Sequence, residues 1–336
     1  MELSACGSIM LMQQRGTDHN CPCIDMDQLT DVAFVSMLRT DIDIGPIFIA
    51  TSFYLTVFVI AELTRKIVDR YVAYNTLLYY FLIEAVATSQ MCTCVYENAV
   101  IIRHYGPIGF FFAVTSVLFA GGFTNRGAFI SPLKPIEMFY YGSIRVPLNV
   151  SARIEARAYG RVQPHHSALC KADLQTRTKG FRFDRLLSVV AGEALGGYSA
   201  YRVARQLWYW SLSIAADHAI NYESTRCAFA YKVPFPYAFT FEIFGAFLLR
   251  SILTRLPKSS VRYATPAVIS AFLTFSLAYI GVSGLNPTVA SSRMQGCDGL
   301  STQWFILTYW VCPTVGWMLS AIVDNKWRAL ISKKKE

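Results

Sequence analysis

Charge is scarce in this chain. Asp, Glu, Lys and Arg make up only 16% of the 336 residues against 54% apolar, and mean hydropathy is +0.34, a balance that excludes an ordinary soluble domain of this length. Metal-binding spacing is also missing: nine cysteines are scattered, and His19 beside Cys21 and Cys23 has no suitably spaced fourth ligand. His104, His165, His166 and His218 fall in expected loops with no nucleophile elbow, phosphate-cradling glycine loop or metal pair beside them. An enzyme is therefore not expected, nor is a cofactor or a metal. Residues 1–44 carry seven Asp or Glu and no apolar core, which argues against a cleavable signal peptide. The stretch 145–185 holds nine Lys or Arg against three acids, yet membrane insertion already requires basic cytosolic loops, so no nucleic-acid partner is expected.

What the chain does have is long apolar runs, at 45–61, 71–96, 105–125, 186–201, 233–249, 263–292 and 299–323. Most approach or exceed the roughly 20 residues that cross a hydrocarbon core about 30 Å thick, with 45–61 at the short limit. These runs predict an all-α, multi-pass membrane protein whose first partner is the lipid bilayer. Basic residues gather at 65–70, 145–185, 255–262 and 326–335 and alternate with acidic or mixed stretches at 97–104, 217–232 and 293–298. Excess Lys and Arg stay in the cytosol, so the basic set and the C-terminus are expected there. Cys6, Cys21, Cys23, Cys227 and Cys297 then fall on the other side, where disulfides are allowed, whereas Cys92, Cys94 and Cys312 read as packing residues within spans.

Two halves of the chain carry the same pattern. Glu84 and Glu242 each sit inside an apolar run, and a polar-Pro step follows 47 and 44 residues later, at Ser131-Pro132-Leu133 and Asn286-Pro287-Thr288. A carboxylate at mid-bilayer costs about 2.5–3.5 kcal/mol and persists only with a partner. Pro suits the first turn of a helix, and Ser or Asn suits its N-cap, so each step predicts a short re-entrant helix. The domain reading is a polar tail over 1–44, with a short helix over 26–38, an extra span over 45–70, a first repeat over 71–213 with a basic insert at 143–185, a second repeat over 214–323, and a basic tail over 324–336. The insert reads as a disordered cytosolic loop or a gene-model artefact. Three spans per repeat is an odd number, so the copies enter the membrane in opposite directions. Glycines 121, 122, 281 and 284 suit close helix crossings, and Tyr79-Tyr80, Tyr140-Tyr141, Trp208 to Trp210 and Trp304 suit interface anchors.

These residues resemble the aquaporin family, and within it the unorthodox, or super-aquaporin, branch of aquaporin-eleven and -twelve type. The family pattern is Glu-x-x-x-Thr in the first helix of each repeat and an Asn-Pro-Ala box opening each half-helix. Glu84 to Thr88 matches the first in full; Glu242 to Ala246 matches without its Thr. SGLNPTVASSRMQGC at 283–297 is similar to the branch's second box, and Cys297 matches a Cys it carries there. The resemblance implies six spanning helices and two half-helices in an inverted repeat, preceded by one extra span. It also implies homotetramers and passage of water and small neutral solutes.

On that resemblance Ser131, Pro132, Leu133, Asn286, Pro287 and Thr288 form the two boxes, Glu84 and Glu242 hold the loops, and Val289 and Phe111 line the filter. Val289 stands where water-selective members have Arg, which permits glycerol or hydrogen peroxide. A Lys333-Lys334-Lys335-Glu336 terminus reads as an endoplasmic-reticulum retrieval signal, so an intracellular membrane is expected, with the plasma membrane as the alternative. The competing functions are an inverted-repeat secondary transporter using Glu84 or Glu242 as a proton site, and a non-conducting scaffold with a vestigial pore.

Overall fold

The structure is a computed structural model that describes residues 44–143, 183–224, 227–257, 259–282 and 284–333. The tail, most of the insert and the last three residues lie outside the described residues, and with them the expectations of a short helix at 26–38, a disordered insert and a retrieval signal. Residues Gly45–Glu336 form one unit, separate from Met1–Ile44.

Among the described residues the secondary structure is helical, with one isolated bridge, Ala228 to Asp298. The helices are α1 (Gly45–Tyr71), α2 (Leu77–Thr124), α3 (Leu133–Ser143), α4 (Phe183–Trp210), α5 (Ala216–Glu223), α6 (Phe235–Leu253), α7 (Val261–Phe275, prolonged by a π-turn over Ser276–Ile280), α8 (Pro287–Met294), α9 (Thr302–Ile306) and α10 (Cys312–Lys333), the last two joined through a π-turn over Leu307–Val311. Five helical stretches among the described residues have the length and apolarity to cross a membrane, on those two criteria alone.

One of the five, α2, is 48 residues long and holds two spans. Gly106 takes φ 60° and ψ −157°, a conformation closed to other residues, and Pro107 after it cannot donate the helical hydrogen bond. The chain folds back there: Met91, Cys94 and Val117, from opposite sides of the hinge, share one apolar cluster. α4, with Glu193, Arg202 and Arg205, is too polar to count among the five, yet its 28 residues, about 42 Å long, suffice to cross.

The twofold pattern of the sequence is also a pattern of contacts. A Cβ added to Gly196 of α4 would run into the carbonyl oxygen of Ala85, one residue after Glu84; a Cβ added to Gly316 of α10 would run into that of Ile243, one residue after Glu242. The third helix of each half thus crosses the first at the same register, with backbones so close that only glycine fits. Gly192, one turn before Gly196, meets the Phe81 carbonyl in the same way. Of the glycines expected at crossings, Gly281 instead ends α7 at φ 94°, and Gly122 has open space around it.

The extra span α1 packs on the first half. Phe53 and Val57 join the cluster of Met91, Cys94, Leu207 and Trp208, and Val68 packs with Tyr79 and Ile83. Tyr79 and Trp208 are therefore buried, contrary to an anchor role, whereas Tyr209, Trp210 and Trp304 are exposed as anchors should be. Stretch 97–104, expected as a loop, is helical. α5 and the end of α4 fasten onto it: His218 Nε2 lies 2.9 Å from Glu97 Oε1, Trp208 Nε1 of α4 donates to Glu97 Oε2 at 2.7 Å, and Asp217 pairs with Arg103 and His104. Burial raises the Asp217 carboxyl, but His104 and Arg103 outweigh it and hold the group below its ordinary value.

Candidate functional site: two loops that meet

Each half builds its loop in the same way. In the second half, Glu242 is 1% exposed and its carboxylate accepts from the backbone N–H groups of Gly284 and Leu285, both at 2.7 Å. In the first, Glu84 accepts from Phe129 at 2.9 and 3.0 Å and from Ile130 at 3.2 Å. These amides have no helical partner because the loop is neither helix nor strand, and irregular backbone at membrane depth needs protein acceptors. Ile130 and Leu285 take φ 61° and 46°, left-handed values that turn the chain into each half-helix. Glu242→Gln leaves a donor facing a donor at one of these contacts. It is expected to cost about 1–3 kcal/mol, read as a lower thermal midpoint in detergent, whereas Glu223→Gln, at an exposed position, should change little.

The tips touch. Asn286 caps α8, its Oδ1 accepting from Thr288 N–H at 3.1 Å, and its Nδ2 donates across to the Ile130 carbonyl oxygen at 3.0 Å. Pro132 and Pro287 are both buried beneath the contact. The cap of the first half-helix differs from the Ser131 expectation: α3 opens at Leu133, with Ile136 N–H donating to Pro132 O at 2.9 Å. Pro135 is the reason, since it has no N–H to give Ser131 O. The Ser131 hydroxyl is buried and has no hydrogen-bond partner among the described residues.

Leu133 and Thr288 are buried, and Val289 and Phe111 half-buried; the Phe111 ring lies 5.3 Å from Phe112 and has no other ring contact among the described residues. Cys297 is bonded to Cys227, Cα to Cα 4.9 Å, while Cys92, Cys94 and Cys312 are free and buried. Among the described residues no group of His, Cys, Asp or Glu could hold a metal.

Sequence reasoning missed several supports. Glu193 of α4, 1% exposed, accepts from Thr288 Oγ1 at 3.3 Å and so ties the third helix to α8. Arg250 of α6 makes two hydrogen bonds to Glu137 of α3, at 2.7 and 3.1 Å, and Trp317 Nε1 adds a third at 2.8 Å. Arg250 follows Glu242 by eight residues and Glu137 follows Ser131 by six; the same offsets in the other half bring Cys92 to Ser292. The extra span also reaches the site. Fully buried Arg65 donates to Gln90 and, at 3.0 Å, to Asn125, and Arg126 at the start of the first loop pairs with Glu62 and Asp69 of α1.

Helices crossing an expected bilayer in two inverted sets, with two half-helices joined at their tips, define a multi-pass membrane protein of the aquaporin type. No family model matches the chain. It is 30% identical over 279 residues to the Caenorhabditis elegans protein named "Putative aquaporin-10", covering 83% of this chain and 86% of that one. It is 23% identical over 239 residues to a Milnesium tardigradum protein named "Aquaporin-11", covering 70% and 72%. The chain belongs to the aquaporin family.

Proposed function

We propose that the chain is a passive channel for water and small neutral solutes, glycerol and hydrogen peroxide among them, in an intracellular membrane. The observation that carries this reading is the Asn286 amide reaching across to Ile130 O, which joins two loops whose backbones are otherwise held by Glu84 and Glu242. One Nδ2 hydrogen is used in that bond, leaving the other to donate to a passing oxygen. The partnerless Ser131 hydroxyl supports a wet passage too, because a buried hydroxyl without a partner costs about 1–3 kcal/mol unless water satisfies it. The half-helix N-termini carry roughly +0.5 of an elementary charge each, which repels hydronium and cations but not neutral solutes. Val289, apolar at the Arg position of water-selective members, supports a neutral constriction that Phe111 would help to wall. Glu84 and Glu242 accept backbone N–H groups and so have structural work, which favours a channel over a proton-coupled transporter. Family membership points away from an enzyme, and the resemblance supports a homotetramer.

Stopped-flow measurements on proteoliposomes test the proposal. Water, glycerol and peroxide should equilibrate without any pH or ion gradient, and Asn286→Asp should slow water about tenfold or more, since it removes a neutral amide–carbonyl bond worth about 0.5–1.5 kcal/mol, sets a carboxylate against the Ile130 carbonyl oxygen and takes away the second amide donor. Flux that needs a gradient would favour the transporter; folded protein passing none of the three would favour the scaffold.

A further inference from the structure

A groove of about 1190 Å³ is bounded by α4, α8 and the outer end of α2's first arm, beneath α5. Three guanidinium groups line it, Arg202 and Arg205 from α4 and Arg293 from α8, and no carboxylate does so among the described residues. All three arginines are exposed to the groove, and none makes an ion pair among the described residues. Arg202 and Arg205 are instead held by aromatic faces: Arg202 lies 4.3 Å from the Tyr198 ring centre and donates to its hydroxyl at 2.7 Å, and Arg205 lies 4.8 Å from the Tyr222 ring centre. Stacking fixes the guanidinium planes and leaves most of their N–H edges free.

A fourth donor is independent of these. Asn221 of α5 lines the same groove and is 7% exposed. Its Oδ1 accepts from Arg103 Nη2 at 3.0 Å, which fixes the orientation of the amide, and its Nδ2 has no partner among the described residues. A buried amide N–H without an acceptor is a costly arrangement. The groove thus offers donors and positive charge, and its ligand must supply acceptors and negative charge.

The height of these groups identifies the ligand further. Glu193 bonds Thr288 beside the tip contact, so residue 193 marks the level where the half-helices meet. At 1.5 Å per residue Arg202 stands ~13 Å and Arg205 ~18 Å above that level, and half a hydrocarbon core is ~15 Å. Arg293, seven residues beyond Asn286 on α8, starts ~10 Å up and its side chain reaches the same height. The three cations therefore converge where a leaflet holds its phosphates, while the groove below them, walled by Tyr96 and Tyr201, continues to the depth of acyl chains.

We propose that this groove binds an anionic phospholipid from the leaflet on the disulfide side, with its phosphate held by Arg202, Arg205, Arg293 and the Asn221 amide. Thr288 lines the groove too, but the four donors stand outward of the tip contact and the proposal does not depend on the channel reading, so its test uses no permeability measurement. Full-length protein in detergent is titrated with dioleoyl phosphatidic acid, dioleoyl phosphatidylcholine or inorganic phosphate, and bound species are counted by native mass spectrometry. Phosphatidic acid should bind about tenfold or more tighter than phosphatidylcholine, as expected for charge-assisted hydrogen bonds. Arg202→Gln/Arg205→Gln should remove that preference while elution and melting stay those of the parent; if this variant does not fold, Arg293→Gln is read for the same loss. Equal binding of the two lipids, or a preference that survives the substitutions, overturns the proposal. Displacement of phosphatidic acid by inorganic phosphate at matched concentration overturns it as well, because the site would then belong to a free anion.

Discussion

Glu137→Ala is expected to destabilise the protein by about 3–5 kcal/mol, the usual result of removing one partner of a buried ion pair. Glu137 and Arg250 are 7% and 4% exposed, and Arg250 donates to both carboxylate oxygens. Without Glu137 the guanidinium keeps, among the described residues, one hydrogen bond, at 3.4 Å to Ser320 Oγ, and Trp317 Nε1 loses its acceptor. Both groups are buried among protein partners, where water does not screen a bare cation, so the effect belongs at the upper end of the range. The thermal midpoint in detergent should drop by roughly 10 °C. Replacing both partners, Glu137→Leu with Arg250→Leu, removes the stranded charge and should recover most of the loss. A Glu137→Ala melt within roughly 1 °C of the parent would mean that water reaches the pair and that it does not hold α3 against α6 and α10.

That pair also marks the boundary of what the sequence makes legible. Glu84 and Glu242 stand out because an apolar run makes a single carboxylate conspicuous, and the structure gives each of them two loop amides. Glu137 and Arg250 are separated by 113 residues; Arg250 sits at the edge of a run and Glu137 between two runs, where a charge is unremarkable. Nothing local distinguishes them from solvated residues. Arg65 is hidden for the same reason: in a stretch with Glu62, Lys66, Asp69 and Arg70 it reads as part of a cytosolic charge cluster, and only the packing of α1 buries it. Other features were present in the sequence as signals of a different kind. Gly192 and Gly196 form a small-xxx-small pair, which is what a close crossing requires. Pro135 rules out the bond that would have made Ser131 a full N-cap, and Gly106-Pro107 at the start of the run 105–125 marks the hinge of α2. Hydropathy by itself undercounts spans, because α4 faces protein and the polar groove rather than lipid along much of its length and therefore carries charge.

Cys297→Ser is expected to cost about 4 kcal/mol, from the chain entropy released when a bridge between positions 70 residues apart is lost. The bridge joins the end of α8 to the segment ahead of α6, and that segment is anchored at several points: Phe229 N–H donates to Asp298 O at 3.0 Å, Asp298 N–H to Cys227 O at 3.0 Å, and Lys232 N–H to Ile280 O at 2.8 Å. The Tyr231 and Tyr309 hydroxyls meet at 2.8 Å beneath it. These contacts survive reduction, so the variant should still fold and should assemble the same tip contact. Its looser outer end should appear as faster hydrogen exchange over 227–232 and 294–298, while the amides of Gly284 and Leu285, held by Glu242, stay protected. The thermal midpoint should fall by roughly 10 °C, and dithiothreitol should bring the parent to the same value without affecting the variant. Identical melts of oxidised and reduced parent would mean that the loop is already as restrained without the bond as with it. Loss of protection at Gly284 and Leu285 would mean that the carboxylate alone does not hold the second half-helix, and that the tip contact depends on the disulfide instead.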